Sequence, residues 1–443
     1  MRETRGFYTR WRWIFVYLTQ LFFYGLPWLT WNHRQAVLFD LTARKFYLFG
    51  LVLWPQDFIY LALLLIICAY TLFLFTAIVG RVWCGFACPQ TVYTEIFMWV
   101  ERKIEGTRSA RIRLDRDTLS VNKIFKKLTK HSIWLLISIW TGFTFVGYFT
   151  EIHTLMKEIL MQSTGPWETF WIGFYGLATY GNAGWMREQI CRYLCPYARF
   201  QGSMLDADSL IVSYDQQRGE PRQPFNKNAG QLTPQTSCID CSLCVQVCPT
   251  GIDIRNGLQH DCIGCAACID ACDSVMDKIH APRGLIRFST ENALKNALSP
   301  KQIKQRMLRP RVLIYSFILF AILISFTSAI SMHMPLKMNI IRDRNNSSRG
   351  FNPAIVSNVY RLHIMNSDEK MHQYMLAISG IDGASIRTSE VLELHATESR
   401  TIPVTVSALK ENVHHGANKI SFTLKAIDDE RIYVEEKSSF FSQ

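Results

Sequence analysis

Eight cysteines crowd into residues 238–272, and no other stretch limits so sharply what this chain can fold around. The stretch reads Cys238-Ile-Asp-Cys241-Ser-Leu-Cys244-Val-Gln-Val-Cys248-Pro249, then Cys262-Ile-Gly-Cys265-Ala-Ala-Cys268-Ile-Asp-Ala-Cys272. Each half is a C-x2-C-x2-C-x3-C run, the spacing by which thiolates hold cubane iron–sulfur clusters. Two such clusters need four sulfur ligands each, and the fourth cysteine of each run crosses to the other cluster. The spacing therefore assigns Cys238, Cys241, Cys244 and Cys272 to one [4Fe–4S] cluster of a bacterial ferredoxin-like domain. Cys248, Cys262, Cys265 and Cys268 fall to a second. Asp273 stands where a proline would repeat Pro249. Proline shapes the chain but donates no ligand, so the change weakens the pattern only slightly.

Two rival uses of the cysteines fit less well. Structural zinc takes two Cys pairs separated by a longer spacer, whereas here two triplets are each followed by a fourth cysteine. Disulfide frameworks belong to oxidising compartments. All 13 cysteines precede residue 273 and the last third of the chain has none. That asymmetry suits metal or redox chemistry on one side of a membrane. The net charge of +12 raises the question of nucleic acid. The Lys and Arg residues flank long apolar runs, which membrane orientation explains better, and no nucleic-acid partner is expected.

Five apolar runs are expected to cross a lipid bilayer as an α-helical transmembrane bundle: residues 13–31, 58–79, 133–150, 170–186 and 312–330. Arg2, Arg5, Arg10 and Arg12 accompany the first, and no small-residue cleavage site follows it, so it reads as a retained helix rather than a signal peptide. Gly173, Gly176 and Gly181 in the fourth would allow close helix packing. The lone Cys68 reads as a helix-packing residue. Basic segments at 80–131 and at Lys301, Lys304, Arg306, Arg309 and Arg311 place the N-terminus and the cluster segment in the cytoplasm. Everything after residue 335 falls outside. Loop 32–57, with Arg34, Arg44 and Lys45, is a mild exception.

Four parts follow: a membrane domain over 1–218, a two-cluster domain over 219–290 entered through a linker at 219–235, a basic approach and last span over 291–334, and an outer domain over 335–443. The outer domain alternates apolar and polar residues, as in Thr401-Ile-Pro-Val-Thr-Val406 and Lys419-Ile-Ser-Phe-Thr-Leu-Lys425. That pattern predicts a β-sandwich of immunoglobulin type, here without a disulfide.

Two further motifs sit where apolar runs meet the cytoplasm: Cys84-x3-Cys88-Pro89 and Cys191-x3-Cys195-Pro196. On a helix the i,i+4 spacing puts both sulfurs on one face, and the proline would break or restart the helix. The repeat suggests that the halves pair and bring four thiols together, where soft ligands select copper(I), zinc or iron–sulfur. Met332-His333-Met334 with Met338 is a softer candidate that also reads as ordinary interfacial sequence, and His414-His415 reads as a solvated loop.

Several longer stretches resemble a known family. They are Arg34-Gln-Ala-Val-Leu-Phe-Asp40, Trp54-Pro-Gln-Asp-Phe58, Trp83-Cys-Gly-Phe-Ala-Cys-Pro-Gln-Thr-Val92, Gly181-Asn-Ala-Gly-Trp-Met-Arg187, Cys195-Pro-Tyr-Ala-Arg-Phe200, the Cys238 to Cys272 block and Pro282-Arg-Gly-Leu-Ile-Arg287. Across nearly its whole length the chain resembles the cytochrome c oxidase accessory family (CcoG, FixG, RdxA). The resemblance implies five spans, two [4Fe–4S] clusters and an outer immunoglobulin-like domain in a bacterial inner-membrane protein with a periplasmic C-terminus. It also implies a cupric reductase that supplies copper(I) for cbb3-type cytochrome c oxidase. By their soft-ligand chemistry, Cys84, Cys88, Cys191 and Cys195 are the candidate copper ligands. Expected partners are the bilayer, copper, oxidase assembly factors or a copper chaperone, an electron donor the sequence does not identify, and a second copy in a homodimer. The Cys-x3-Cys-Pro pairs also resemble membrane quinol-dehydrogenase subunits of denitrification, which would make the chain a quinol-linked relay. A non-catalytic assembly scaffold is the third reading. No Gly-rich dinucleotide fingerprint follows a strand, so electrons must come from quinol or another protein.

Overall fold

The structure is a computed structural model that describes residues 1–223, 238–332, 334–343, 354–387 and 391–442. The expected linker lies mostly outside the described residues, as does His333. The chain divides into two compact units, Met1–Phe39 with Ile59–Phe326 and Asp40–Phe58 with Thr327–Gln443.

The first unit holds eight principal helices: α1 (Phe7–Gly25), α2 (Phe58–Val79), α3 (Pro89–Glu105), α4 (Arg108–Arg116), α5 (Val121–Val146), α6 (Pro166–Thr179), α7 (Ala267–Lys278) and α8 (Pro310–Ser331). Among the described residues only two stretches, not the five expected, are long and apolar enough to cross a membrane: Pro55–Val79, which contains α2, and Pro310–Ser331, which is α8. The physical reason is where the charges fall. α1 carries Arg10 and Arg12 inside the helix, and α5 spends its first turns on Lys123, Lys126, Lys127 and Lys130. α6 ends after 14 residues and passes into π-helical turns at Tyr180–Met186 and Ile190–Leu194.

These three helices nonetheless pack together. A Cβ on Gly142 of α5 would lie 2.3 Å from the Ile172 carbonyl oxygen of α6, so the two backbones touch. Of the glycines expected to do this, Gly176 comes near Ser138, while Gly173 and Gly181 face open space. Tyr24 of α1 shares a 2.8 Å hydrogen bond with Thr141 of α5. Some of the basic residues serve buried ion pairs. Glu95, Glu101 and Glu105 are buried on α3 and take Arg12 at 2.5 Å, Arg111 at 2.9 Å and Lys130 at 2.8 Å.

The cluster segment is closed by β1 (Ile211–Tyr214) pairing antiparallel with β2 (Ile286–Ser289). It is also fastened to the N-terminus. Asp270 of α7 accepts from the backbone N–H of Tyr8 at 3.2 Å and of Thr9 at 2.7 Å, and from the Thr9 hydroxyl at 2.7 Å. A carboxylate at the start of α1 satisfies donors that have no partner within the helix.

The second unit is the expected sandwich. Its strands are β3 (Leu336–Arg342), β4 (Ile355–Asn366), β5 (His372–Ser379), β6 (Ser385–Arg387), β7 (Val391–Leu394), β8 (Ser399–Leu409), β9 (Gly416–Ala426) and β10 (Tyr433–Ser442). They form two four-stranded sheets, ordered β7-β5-β9-β10 and β6-β8-β4-β3. Inward residues from both fill the core, with Tyr360 edge-on to Phe422 at 5.2 Å and Val404, Leu424 and Phe440 fully buried. Met338 points into this core, whereas Met332 and Met334 are exposed, so the methionines do not converge. Loop 40–58 belongs to this unit. Trp54 donates its indole N–H to the Ser367 hydroxyl at 2.8 Å, Lys45 donates to the Thr397 carbonyl at 2.7 Å, and Asp57 pairs with Lys337. Lys45, basic in a loop expected to be poor in charge, thus serves a structural bond.

Buried His372 lies between Asp428 at 2.6 Å and Asp368 at 3.1 Å. Burial opposes its charged form, but hydrogen bonds to the two carboxylates hold its pKa above the ordinary histidine value. The folded state then binds more protons than the unfolded one, so stability falls as pH rises. The contribution is complete below about pH 6.5 and is lost as pH rises through the higher folded value. Thermal melts of the full chain should show this slope, and His372→Gln should flatten it. An equal slope in the variant would assign the pH dependence elsewhere.

Candidate iron–sulfur site

The two halves of the cysteine block fold alike. Ser242 and Ala266 occupy equivalent places after the second cysteine, both are left-handed, and each caps a helix carrying the third, Leu243–Gln246 and α7. Asp240 and Gly264 are likewise paired, at φ 49° and 68°. Successive turns of this kind point backbone N–H groups inward and form concavities suited to anionic clusters.

Two cavities result. One is lined by Cys238, Cys241, Cys244 and Cys272, with Tyr214, Val275, Met276, Leu285 and Ile286 as its apolar wall. The other is lined by Cys248, Cys262, Cys265 and Cys268 against Val212, Ile252, Ile254 and Ile263, and Cys244 also reaches it. Cys272 therefore sits with the first run and Cys248 with the second, as a crossed pair of cubanes requires. Burial pushes the Cys244 thiol up to about 11 and those of Cys262 and Cys272 up to about 12. Cys238, Cys244 and Cys265 are buried and Cys241 is exposed, and the eight thiols lining the two apolar cavities fit two [4Fe–4S] groups.

The paired motifs fold differently from the helical face expected. Cys84 lies in a short helix, Val82–Phe86, whereas Cys88 is the N-cap of α3, which restarts at Pro89. Cys191 lies in the π-helical turn and Cys195 caps the helix Pro196–Met204. Proline at the first helical position needs no N–H donor and presets φ, so each pair straddles a helix break. Burial, joined by the nearby charges of Cys88, Cys191 and Cys195 and opposed by that of Arg81, pushes the Cys84 thiol up to about 12. Cys191 is raised to about 11 by burial and then by Cys88 and Cys195. Cys84 and Cys191 pack on the same apolar cluster as Cys265, beside Cys268.

Three residues of this region are not singled out by the sequence as site residues. Gly85 is one: a Cβ there would lie 2.7 Å from the Cys265 Cα and 2.8 Å from its nitrogen. Arg81 donates to the carbonyls of His260 and Ala198, tying the end of α2 to the second run. Gln201 is fully buried with its Oε1 3.6 Å from the Cys84 sulfur. Long-range packing places all three, and residue spacing does not reveal it.

A cavity of about 330 Å³ opens between Cys191 and Cys248. Gln90, Thr94, Glu95, Arg12, Arg187 and Glu188 line its polar side.

Comparison with known proteins gives the chain a family. Residues 186–291 match the 4Fe-4S dicluster domain family, residues 61–107 a 4Fe-4S binding domain, and residues 326–443 the IG-like fold at the C-terminus of FixG. The chain is 38% identical to nitrogen fixation protein FixG of Rhizobium meliloti (strain 1021), covering 88% of this chain and 80% of that protein. It is 37% identical to protein RdxB of Cereibacter sphaeroides, covering 98% of this chain and 92% of that one. RdxA of the same organism is also 37% identical, over 92% and 86%. The crystal structure of a FixG-related protein from Vibrio parahaemolyticus covers 25% of this chain and 97% of its own, at 24% identity and a TM-score of 0.23. With eight cysteines arranged for two cubanes and an immunoglobulin-like domain behind them, the chain belongs to the FixG/RdxA/RdxB family of iron–sulfur proteins.

Proposed function

We propose that the protein is a membrane-anchored electron carrier that reduces copper(II) to copper(I) for the assembly of cbb3-type cytochrome c oxidase. The observation that carries the electron-transfer part is the pair of cysteine-lined cavities sharing Cys244, with Cys84 and Cys191 packed on the apolar cluster that holds Cys265. One cluster would suffice as a structural staple. When bound, the clusters supply one-electron storage at potentials that commonly lie well below copper couples in water. The protein's own part is to hold these centres in line, exclude water from the buried thiols, and end the line at Cys84, Cys88, Cys191 and Cys195. Each copper(II) takes one electron, and soft sulfur ligands favour the copper(I) product. Copper would then pass to an assembly factor or chaperone.

The same reading supplies the sidedness. The start of α1 is bonded to the cluster segment through Asp270, whereas loop 40–58 is bonded to the C-terminal sandwich through Trp54, Lys45 and Asp57. With α2 and α8 as candidate crossings, the placement of Lys and Arg supports the clusters in the cytoplasm and the sandwich in the periplasm. Reporter fusions at residues 290 and 400 should read opposite sides, and the same side for both would overturn it.

The quinol relay is favoured by one observation, the cavity between Cys191 and Cys248 with its buried Glu95. A small redox molecule there would touch Cys248, a cluster ligand, and Cys191. Stopped-flow mixing separates the readings. Reduced protein mixed with copper(II) should regain its visible absorbance, with copper(I) captured by a chromogenic chelator. Reduction of oxidised protein by a soluble quinol, with no response to copper(II), would replace copper by quinol as the substrate.

A further inference from the structure

The turn between α3 and α4 borders a cavity of about 470 Å³ that takes no part in the chemistry above. Arg2, Arg102, Arg108 and Arg111 line it, and Glu3 is the one carboxylate among the described residues that do. We infer that this pocket binds the phosphate group of a ligand, carried either by a soluble phosphate compound or by the headgroup of an anionic lipid.

Charge is the first argument. Two of the four arginines are already paired, Arg102 with Glu95 at 3.2 Å and Arg111 with Glu101 at 2.9 Å. Arg2 and Arg108 have no ion pair among the described residues, and both are exposed to an arriving ligand. The Arg111 Nε is buried with no hydrogen-bond partner among the described residues. A guanidinium is a planar fork of donors that matches phosphate oxygens two at a time. Bringing several of them around one cavity costs repulsion, which a bound anion removes.

The backbone supplies the second. α3 ends at Glu105, Gly106 turns the chain at φ 89°, and α4 starts at Arg108 with Thr107 as its N-cap. The Thr107 side chain makes no capping hydrogen bond, and the first turn of α4 holds no Asp or Glu. The Arg111 N–H bonds back to the Thr107 carbonyl at 2.9 Å, which leaves the N–H groups of Arg108 and Ser109 ahead of the helical ladder. Such groups, at the positive end of a helix, suit a phosphate.

The wall opposite α4 is held in place. The Arg2 N–H donates to the Gln246 carbonyl at 2.9 Å, and Arg111 donates to the Met1 carbonyl at 3.1 Å. Gln246 and Arg108 also line the cavity that reaches Cys191 and Cys248. A bound phosphate would therefore sit beside the opening over a cluster ligand.

Neither copper nor quinol as substrate enters this inference. The test titrates full-length protein in phosphatidylcholine nanodiscs with pyrophosphate by calorimetry. One saturable site per chain is expected, weakening as salt screens the arginines. Arg108→Gln should weaken binding about tenfold or more, because hydrogen bonds between charged partners are the strong ones. Its iron content should match wild type, which shows that the variant has folded. Arg113→Gln removes the same charge from α4 at a residue that does not line the pocket, and should bind as wild type does. Native mass spectrometry of protein released from phosphatidylglycerol bilayers separates the two sources. A retained lipid that Arg108→Gln loses identifies the headgroup, whereas no retained lipid with pyrophosphate binding intact identifies a soluble compound. Wild type that binds neither probe saturably would overturn the inference. So would Arg108→Gln that binds as wild type does, or Arg113→Gln that weakens binding equally.

Discussion

Cys262→Ser is expected to remove or convert the second ferredoxin-type cluster and to leave the first in place. Cys262 lines the cavity shared with Cys248, Cys265 and Cys268, and serine offers a harder, weaker ligand there. Iron should fall by up to about four per chain, and the melting temperature should fall with it, because metal-binding energy is folding energy in such a segment. The crossed arrangement sharpens the expectation. Cys272 follows Cys268 in sequence but lines the other cavity, with Cys238 and Cys241. Cys272→Ser should therefore share its spectroscopic change with Cys238→Ser and not with Cys262→Ser. Grouping of Cys272 with Cys262 would overturn the assignment, as would full iron content in all three variants.

Gly85→Ala should place a damaging methyl group at the contact between the Cys84 segment and the second cysteine run. Its Cβ would meet the Cys265 Cα, the Cys265 nitrogen and the Gly264 carbonyl carbon within 2.7–2.9 Å, and all three are backbone atoms that cannot rotate away. Overpacking of this kind costs about 1–3 kcal/mol. Relief would come by parting the Cys84 segment from the second run. Iron at the ferredoxin-type clusters should be retained, while reoxidation of the reduced protein by copper(II) should slow. Gly173→Ala, on an open face of α6, is the matched control and should change neither. Normal copper-driven reoxidation in Gly85→Ala would show that electrons do not cross at this contact.

The cysteine block was legible because cluster chemistry fixes spacing: four sulfurs per cubane with a crossing fourth leave one pairing of eight residues. The sandwich was legible because a sheet with one buried face imposes alternation, and Lys419-Ile-Ser-Phe-Thr-Leu-Lys425 carries it without interruption. Proline marked where α3 and the Pro196–Met204 helix begin, since it fits a first helical turn and little else nearby. Span count was the weak point. Apolar runs signal lipid only while they stay free of charge, and α1 and α5 place Arg and Lys inside helices that pair with carboxylates of α3. Residues set by tertiary approach left no local trace. Gly85 is an ordinary glycine until Cys265 lies against it, and Asp270 is an ordinary helix residue until α1 starts above it. The basic loop at 40–58 likewise makes sense only beside Ser367 and Thr397.

The central claim, that electrons held on this chain's clusters pass to copper, is tested most directly by a single-turnover count. Protein is reduced anaerobically, freed of reductant, and titrated with copper(II) while cluster absorbance and chelated copper(I) are read together. The account predicts one copper(I) for each electron the clusters lose, until they are fully oxidised. Clusters that stay reduced in excess copper(II), or that oxidise without forming copper(I), would contradict it.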